Sequence, residues 1–68
     1  MKSSVRNRLE GKVTLLVRGS AVSEIEIETP AGLVSAVITT RSLDAVGLKV
    51  GDIVSAAFKA TNVFVDKL

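Results

Sequence analysis

The segment A-V-S-E-I-E-I-E, residues 21–28, decides the fold, because apolar and acidic residues alternate along it with a period of two. In an extended chain Ser23, Ile25 and Ile27 fall on one side, and the three glutamates fall on the other. Such alternation is typical of a β-strand that packs one face on a core and exposes the other face to water. The segment therefore predicts a half-buried strand.

Predicted strands flank this segment on both sides. The run at 9–17 is rich in β-formers, and residues 18–20, R-G-S, predict a tight turn, so the two strands form a long hairpin. After the segment, T-P-A-G at 29–32 predicts a second turn and leads into a third strand at 33–39. Gly11 inside the first strand indicates a bulge or the close approach of another backbone.

A short helix is predicted next, at 40–46, capped by one of the two threonines at its start and closed by Gly47. Asp44 is expected to favour the positive end of this helix. Two further strands are predicted at 53–59 and 63–65. Five short strands with one helix between the third and the fourth predict an all-β, OB-like five-stranded Greek-key barrel.

Length and composition favour one domain that associates with copies of itself. A chain of 68 residues has room for a single domain, residues 1–68, and buries only about 60% of the surface that it exposes when unfolded. It has no cysteine to form disulfides. Yet 47% of its residues are hydrophobic, and the predicted strand at 33–39 is apolar on both faces. Because so small a chain cannot easily cover both faces from within, we expect contacts between subunits.

The sequence argues against an enzyme and against a membrane protein. It has no His and no Cys, and it lacks a G-x-S-x-G motif, a phosphate loop and a dinucleotide fingerprint. The three glutamates of 21–28 share one face of one strand, which is typical of a solvated face. No apolar run approaches the roughly 20 residues of a membrane span, and the basic start lacks the apolar stretch of a secretory signal. We expect a cytoplasmic protein with no catalytic residues, no cofactor and no ligands for a metal cation.

Hydrogen-bond donors gather in three short polar clusters, at 3–7, 39–42 and 59–61. Each cluster alone is typical of a helix cap or of a solvated strand end. Together they indicate an anion site, because a helix start offers free N–H groups, hydroxyls add adaptable donors, and Lys and Arg supply charge. The net charge of +2 is far from the dense basic surface of a typical nucleic-acid binder.

Three stretches of the chain resemble one known family. They are S-V-R-N-R-L-E-G-K-V at 4–13, V-I-T-T-R-S-L-D-A-V-G-L-K-V-G-D at 37–52 and F-K-A-T-N-V-F-V at 58–65. In this order and at this spacing they resemble the molbindins, small molybdate-binding proteins built from one TOBE-type domain. The resemblance covers nearly the full length of the chain.

The resemblance implies a ligand, an assembly and a set of site residues. Molbindins form OB-like barrels that assemble into a hexamer, a trimer of dimers, and bind molybdate or tungstate at subunit interfaces. By position, the oxyanion site is expected at Ser4, Arg6, Thr39, Ser42, Lys59 and Ala60. Arg6 and Ala60 would act mainly through backbone N–H groups, and Lys59 would supply charge. A possible second oxyanion site falls on the turn Gly19, Ser20 and Ala21.

The chain departs from the molbindin pattern at three positions. Val5 stands where alanine is usual, and Arg8 stands where glutamine is common. Arg41 adds a charge close to the predicted helix start. These departures leave the predicted fold unchanged, but they bear on affinity and on which oxyanion is preferred.

Two other functions remain open from the sequence. OB-type domains often bind single-stranded nucleic acid through aromatic stacking and a basic groove, but this chain has two Phe, no Tyr and no Trp. A free-standing domain of this family could instead sense molybdate by docking on a transporter or a regulator, since the binding residues would be the same. A salt-dependent gel shift with single-stranded DNA or RNA tests the first, and a pull-down with and without molybdate tests the second.

Overall fold

The computed structural model describes residues 3–68 and is mostly β. Its elements, in chain order, are β1 (Asn7–Arg18), β2 (Val22–Thr29), β3 (Gly32–Thr39), α1 (Thr40–Val46), β4 (Ile53–Phe58) and a 3-10 helix (Ala60–Asn62). The four strands form one antiparallel sheet in the order β3-β2-β1-β4. The first four predicted strands and the helix between the third and the fourth are therefore confirmed.

The alternation along β2 places its apolar face in the core. Ser23, Ile25 and Ile27 are buried, whereas Glu24 and Glu28 on the other face are exposed. Burying aliphatic side chains is the main favourable term for a domain of this size. The hydrophobic core of buried residues is small and contains side chains from three strands and the helix: Val13, Ile25, Ile27, Leu43 and Ala56.

β1 is the long strand that joins the two halves of the sheet. Its first half pairs with β4 and its second half pairs with β2, and the register shifts between Val13 and Leu15. At Gly11 an added Cβ would collide with the carbonyl oxygen of Glu28 on β2. The close backbone approach predicted at this glycine is confirmed, and the register shift lies further along the strand, after Val13. Together they let β1 bend from one partner strand to the other.

α1 has the predicted bounds and the predicted caps. The hydroxyl of Thr39 accepts a hydrogen bond from the backbone N–H of Ser42 at 3.1 Å, and Gly47 ends the helix with a φ of 70°. Leu43 is buried and anchors the helix in the core. The expectation for Asp44 was wrong, because this residue lies beyond the first turn and pairs with Arg18 instead. Within residues 3–68 no helix combines the length and the apolar content that a bilayer crossing requires.

The predicted fifth strand is missing from the described chain. Residues 63–65 follow the 3-10 helix without joining the sheet, and Phe64 and Val65 are 91% and 90% exposed. A strand exists only when its backbone groups find a partner edge, and no edge of the same chain receives this segment. The sheet therefore has four strands, and a five-stranded Greek-key barrel is not confirmed.

Candidate functional site

Four of the predicted site residues lie at one end of the sheet. β1 begins at Asn7 and β4 ends at Phe58, and these two residues are partners in the antiparallel register. The residues just before β1 and just after β4 are therefore brought to the same end of the sheet. They include four predicted oxyanion ligands, which we call the strand-end group: Ser4, Arg6, Lys59 and Ala60.

The strand-end group carries hydrogen-bond donors that the chain itself does not use. All four residues are exposed. The backbone N–H groups of Arg6 and Ala60 donate to no acceptor within residues 3–68. The carbonyl of Lys59 accepts from the N–H of Asn62 at 2.9 Å, while its ammonium group makes no ion pair in the described chain. This end of the sheet can therefore donate to an anion without breaking an internal contact.

Two further predicted ligands, Thr39 and Ser42, form what we call the helix-start pair. The hydroxyl of Thr39 accepts from the N–H of Ser42 at 3.1 Å and donates to the hydroxyl of Ser42 at 2.8 Å. The hydrogen of the Thr39 hydroxyl is thus used inside the pair, whereas the hydrogen of the Ser42 hydroxyl is free to point outward. The helix cap predicted from the sequence and the hydroxyl ligands predicted from the resemblance are thus formed by the same two side chains.

The predicted second site lies beside the helix-start pair. An open cleft of about 350 Å³, here the Ser20 cleft, is lined by four residues: Ser20, Ala21, Thr39 and Arg41. The turn between β1 and β2 and the start of α1 thus meet at one place. Gly19 permits this turn, because an added Cβ there would collide with the carbonyl oxygen of Val22.

Thr40 fastens the turn to the helix, and sequence reasoning did not assign it this role. Its N–H donates to the carbonyl of Ala21 at 3.0 Å, and its hydroxyl donates to the carbonyl of Gly19 at 2.7 Å. The same hydroxyl lies 2.8 Å from the hydroxyl of Ser23. Thr40 is buried, and a polar side chain buried at a helix start needs such partners. The doubled threonine at the start of the helix is the sequence signal that points to it.

An exposed ion pair lies near the same end of the molecule. Arg18 holds Asp44 through two hydrogen bonds of 2.5 and 2.8 Å. The hydrogen bond from the guanidinium lowers the pKa of Asp44, and the same contact raises the pKa of Arg18. The carboxylate is therefore ionised and neutralised by Arg18, and no carboxylate is among the residues that line the Ser20 cleft.

The structure places the six predicted ligands in two groups, which follow different strands. The strand-end group lies where β1 begins. The helix-start pair follows β3, and Thr39 at the end of β3 pairs with Val22 at the start of β2, just after the end of β1. The Ser20 cleft is lined by Thr39 of the helix-start pair and by no residue of the strand-end group.

A large apolar groove runs between the two edge strands, β3 and β4. It has a volume of about 550 Å³, and most of its lining is aliphatic. Phe58 on β4 and Ile38 on β3 are among the residues that line it. Exposed apolar surface of this kind is typical of an interface.

Comparison with known proteins gives likenesses over nearly the whole chain. Residues 3–65 match the family described as the TOBE domain. Molybdenum-pterin-binding protein 3 of Clostridium pasteurianum is 33% identical over 66 residues, which cover 96% of this chain and 97% of that relative. The structure of a molybdate-binding protein from Sporomusa ovata has a TM-score of 0.94 at 37% identity and covers 98% of this chain and 100% of the other. The molybdate-bound structure of the cytoplasmic molybdate-binding protein ModG has a TM-score of 0.87 at 31% identity and covers 94% of this chain and 46% of that chain.

Proposed function

This chain belongs to the TOBE domain family, as a protein of the molbindin type, and from that premise we propose that it binds molybdate and tungstate where copies of itself meet. As a single TOBE-type domain it would hold these oxyanions in the cytoplasm as a store or buffer, without catalysis. Relatives described as binding molybdate or molybdenum-pterin, one of them cytoplasmic, support this function.

The observation that carries the proposal is the separation of two donor groups within one chain. The strand-end group flanks the paired ends of β1 and β4, whereas the helix-start pair follows β3. In the proposed site the two groups belong to different copies, and donors from both surround one ligand. Ligand binding would then stabilise the assembly, because the ligand binds the state that completes its site.

The donor chemistry suits molybdate better than the commoner oxyanions. Molybdate at neutral pH is a dianion that only accepts hydrogen bonds, and the strand-end group offers N–H, O–H and ammonium donors. Hydrogen phosphate would bring a proton for which the N–H and ammonium groups offer no acceptor, so that only a hydroxyl could receive it. Sulfate has no proton, and its smaller size would leave some donors out of reach. Several charge-assisted hydrogen bonds of roughly 1.5–3 kcal/mol each are enough for micromolar affinity, about −8 kcal/mol.

We also propose that residues 63–65 become the fifth strand against a neighbouring copy, which would close an OB-like Greek-key barrel. The segment is apolar and exposed in the single chain, and its residue Val63 already has an extended backbone. The apolar groove between β3 and β4 offers unpaired edges that such a strand could extend. Dimers made in this way would assemble into the expected hexamer, a trimer of dimers.

Native mass spectrometry with and without molybdate tests both parts of the proposal. We expect a hexamer that gains a defined number of molybdate or tungstate ions, and heat on isothermal titration with either anion. Sulfate at the same concentration is the control and should leave the mass and the heat unchanged. A monomer that takes up neither anion would contradict the proposed function.

Replacing Lys59 tests the strand-end group. Molybdate should raise the melting temperature of the assembly with dose, and Lys59→Ala should weaken that rise, because the variant loses the ammonium of this group. Lys67→Ala is the matched control, since Lys67 is also exposed and lies outside the matched residues 3–65. A rise that is the same in Lys59→Ala and in the wild type would remove Lys59 from the site.

A further inference from the structure

Arg41 brings a positive charge to a cleft that is otherwise lined by uncharged groups. It lines the Ser20 cleft with Ser20, Ala21 and Thr39. Its guanidinium makes no hydrogen bond and no ion pair within residues 3–68. Arg18, by contrast, is held by Asp44 in a bidentate pair and is neutralised there. The positive charge of Arg41 is thus not neutralised by another residue of the described chain.

The uncharged donors of the cleft are also unused. The N–H groups of Ser20 and Ala21 donate to no acceptor in the described chain, and the Ser20 hydroxyl has no partner there. The amides at the helix start are different, because the N–H of Thr40 donates to Ala21 and that of Ser42 donates to Thr39. The cleft therefore offers the donors of a turn and of a side chain, and it does not depend on the helix start.

We propose that Arg41 is the charged residue of the second oxyanion site and that it makes this site prefer dianions. The proposal rests on the proposed function, since it concerns the same class of ligand. A guanidinium can give two parallel N–H groups to two oxygens of a tetrahedral anion, which neutral hydroxyls and amides cannot match in charge. Because the cleft is open and only one full charge faces it, the charge of the ligand governs affinity more than its shape does.

The test compares Arg41→Gln with Lys49→Gln, two variants that each lose one positive charge. Lys49 is exposed in the segment between α1 and β4 and is not part of the cleft. We expect Arg41→Gln to lose one class of molybdate sites or to weaken that class at least about tenfold, the loss of one charged hydrogen bond. The other class should keep its affinity, and native mass spectrometry should show the same number of subunits. Lys49→Gln should change neither class by more than about twofold.

Perrhenate gives a second measurement, because it is tetrahedral like molybdate but carries a single negative charge. In the wild type, molybdate should displace perrhenate from the second class of sites, and Arg41→Gln should reduce that preference. Arg41→Lys should recover most of the preference for molybdate, because lysine restores the positive charge although it lacks the parallel N–H groups of the guanidinium. An Arg41→Gln protein with wild-type stoichiometry and affinity, or an equal loss in Lys49→Gln, would overturn the assignment of Arg41. A wild type that binds no molybdate would instead contradict the proposed function.

Discussion

At the scale of the residue, Thr40 has more structural consequence than its size suggests. One hydroxyl contacts the carbonyl of Gly19 and the hydroxyl of Ser23, both on segments distant from it in sequence. These contacts fix the turn that carries Ser20 and Ala21 against the helix. A small buried hydroxyl can therefore set the shape of a cleft whose other walls are exposed.

Thr40→Val should lower the free energy of unfolding by about 1–3 kcal/mol, because valine has the same shape but removes the hydrogen bonds to the buried Ser23 hydroxyl and the half-buried Gly19 carbonyl. Thr40→Ser keeps the hydroxyl and should cost less. Chemical denaturation at one fixed protein concentration measures both, since assembly makes stability depend on concentration. Equal losses in the two variants would mean that the methyl group, and not the hydroxyl, stabilises this place.

The pair of Arg18 and Asp44 predicts a small dependence of stability on acid pH. The pKa of Asp44 is lowered in the folded chain, so its contribution is present above the unfolded pKa and is lost as the pH falls through the lowered value. Asp44→Asn should therefore melt slightly below the wild type at pH 7, and the difference should vanish in strong acid. The effect should be small and should shrink further in high salt, because both side chains are 55% exposed.

Asp66→Asn is the control for this pH profile, since Asp66 is exposed and makes no ion pair in the described chain. It should follow the wild type at every pH. A melting difference between Asp44→Asn and the wild type that persists unchanged in strong acid would show that the ionised carboxylate is not its cause.

Local chemistry explains which residues the sequence could predict. The cap at Thr39 and the left-handed Gly47 depend on neighbours within a few positions, so the pattern of residues was sufficient. The partner of Asp44 lies 26 positions earlier in the chain, and the partner of Thr40 at Gly19 lies 21 positions earlier. A pattern of neighbouring residues cannot predict contacts between residues so far apart in sequence, so the roles of Asp44 and Thr40 appear only in the folded chain.

At the scale of the element, β1 is shaped by the absence of one side chain. Gly11→Ala should lower the free energy of unfolding by about 1–3 kcal/mol, because the added methyl group meets the carbonyl oxygen of Glu28 and the methyl groups of Ile27 and Thr29. Glu10→Ala, at an exposed neighbouring position, should change it by no more than about 0.5 kcal/mol. Urea denaturation of the two variants separates a local clash from a loss of strand propensity. Similar values for both would contradict the close packing at Gly11.

The strand at 63–65 shows the limit of reading elements one by one. The sequence V-F-V has the β-propensity of a strand, and the prediction used that propensity alone. Pairing also needs a free edge in register, which the single chain does not present to this segment. Residues 33–39, which are apolar on both faces, are also incompletely covered by their own chain, because Leu33 and Val37 are 63% and 67% exposed. Both segments are apolar where one copy leaves them in water.

At the scale of the whole molecule, these exposed segments predict that assembly and binding fail together. Phe64→Asp should shift the assembly towards smaller species, because it would place a charge in the apolar contact proposed for residues 63–65. Phe64 is 91% exposed, so the fold of the single chain should be little affected and circular dichroism should retain its β signal. Molybdate binding should weaken in parallel, since the proposed site takes its donors from different copies.

Leu68→Asp is the matched control, because Leu68 is also fully exposed but lies outside residues 3–65, which match the family. Light scattering over a range of concentrations should show the wild-type mass for Leu68→Asp and a lower mass for Phe64→Asp. High molybdate should restore part of the mass of Phe64→Asp, because a ligand that bridges copies adds its binding free energy to their contact. Full assembly and full binding in Phe64→Asp would separate residues 63–65 from the interface. Loss of assembly with unchanged binding would mean that one chain holds the oxyanion alone, against the proposed site between copies.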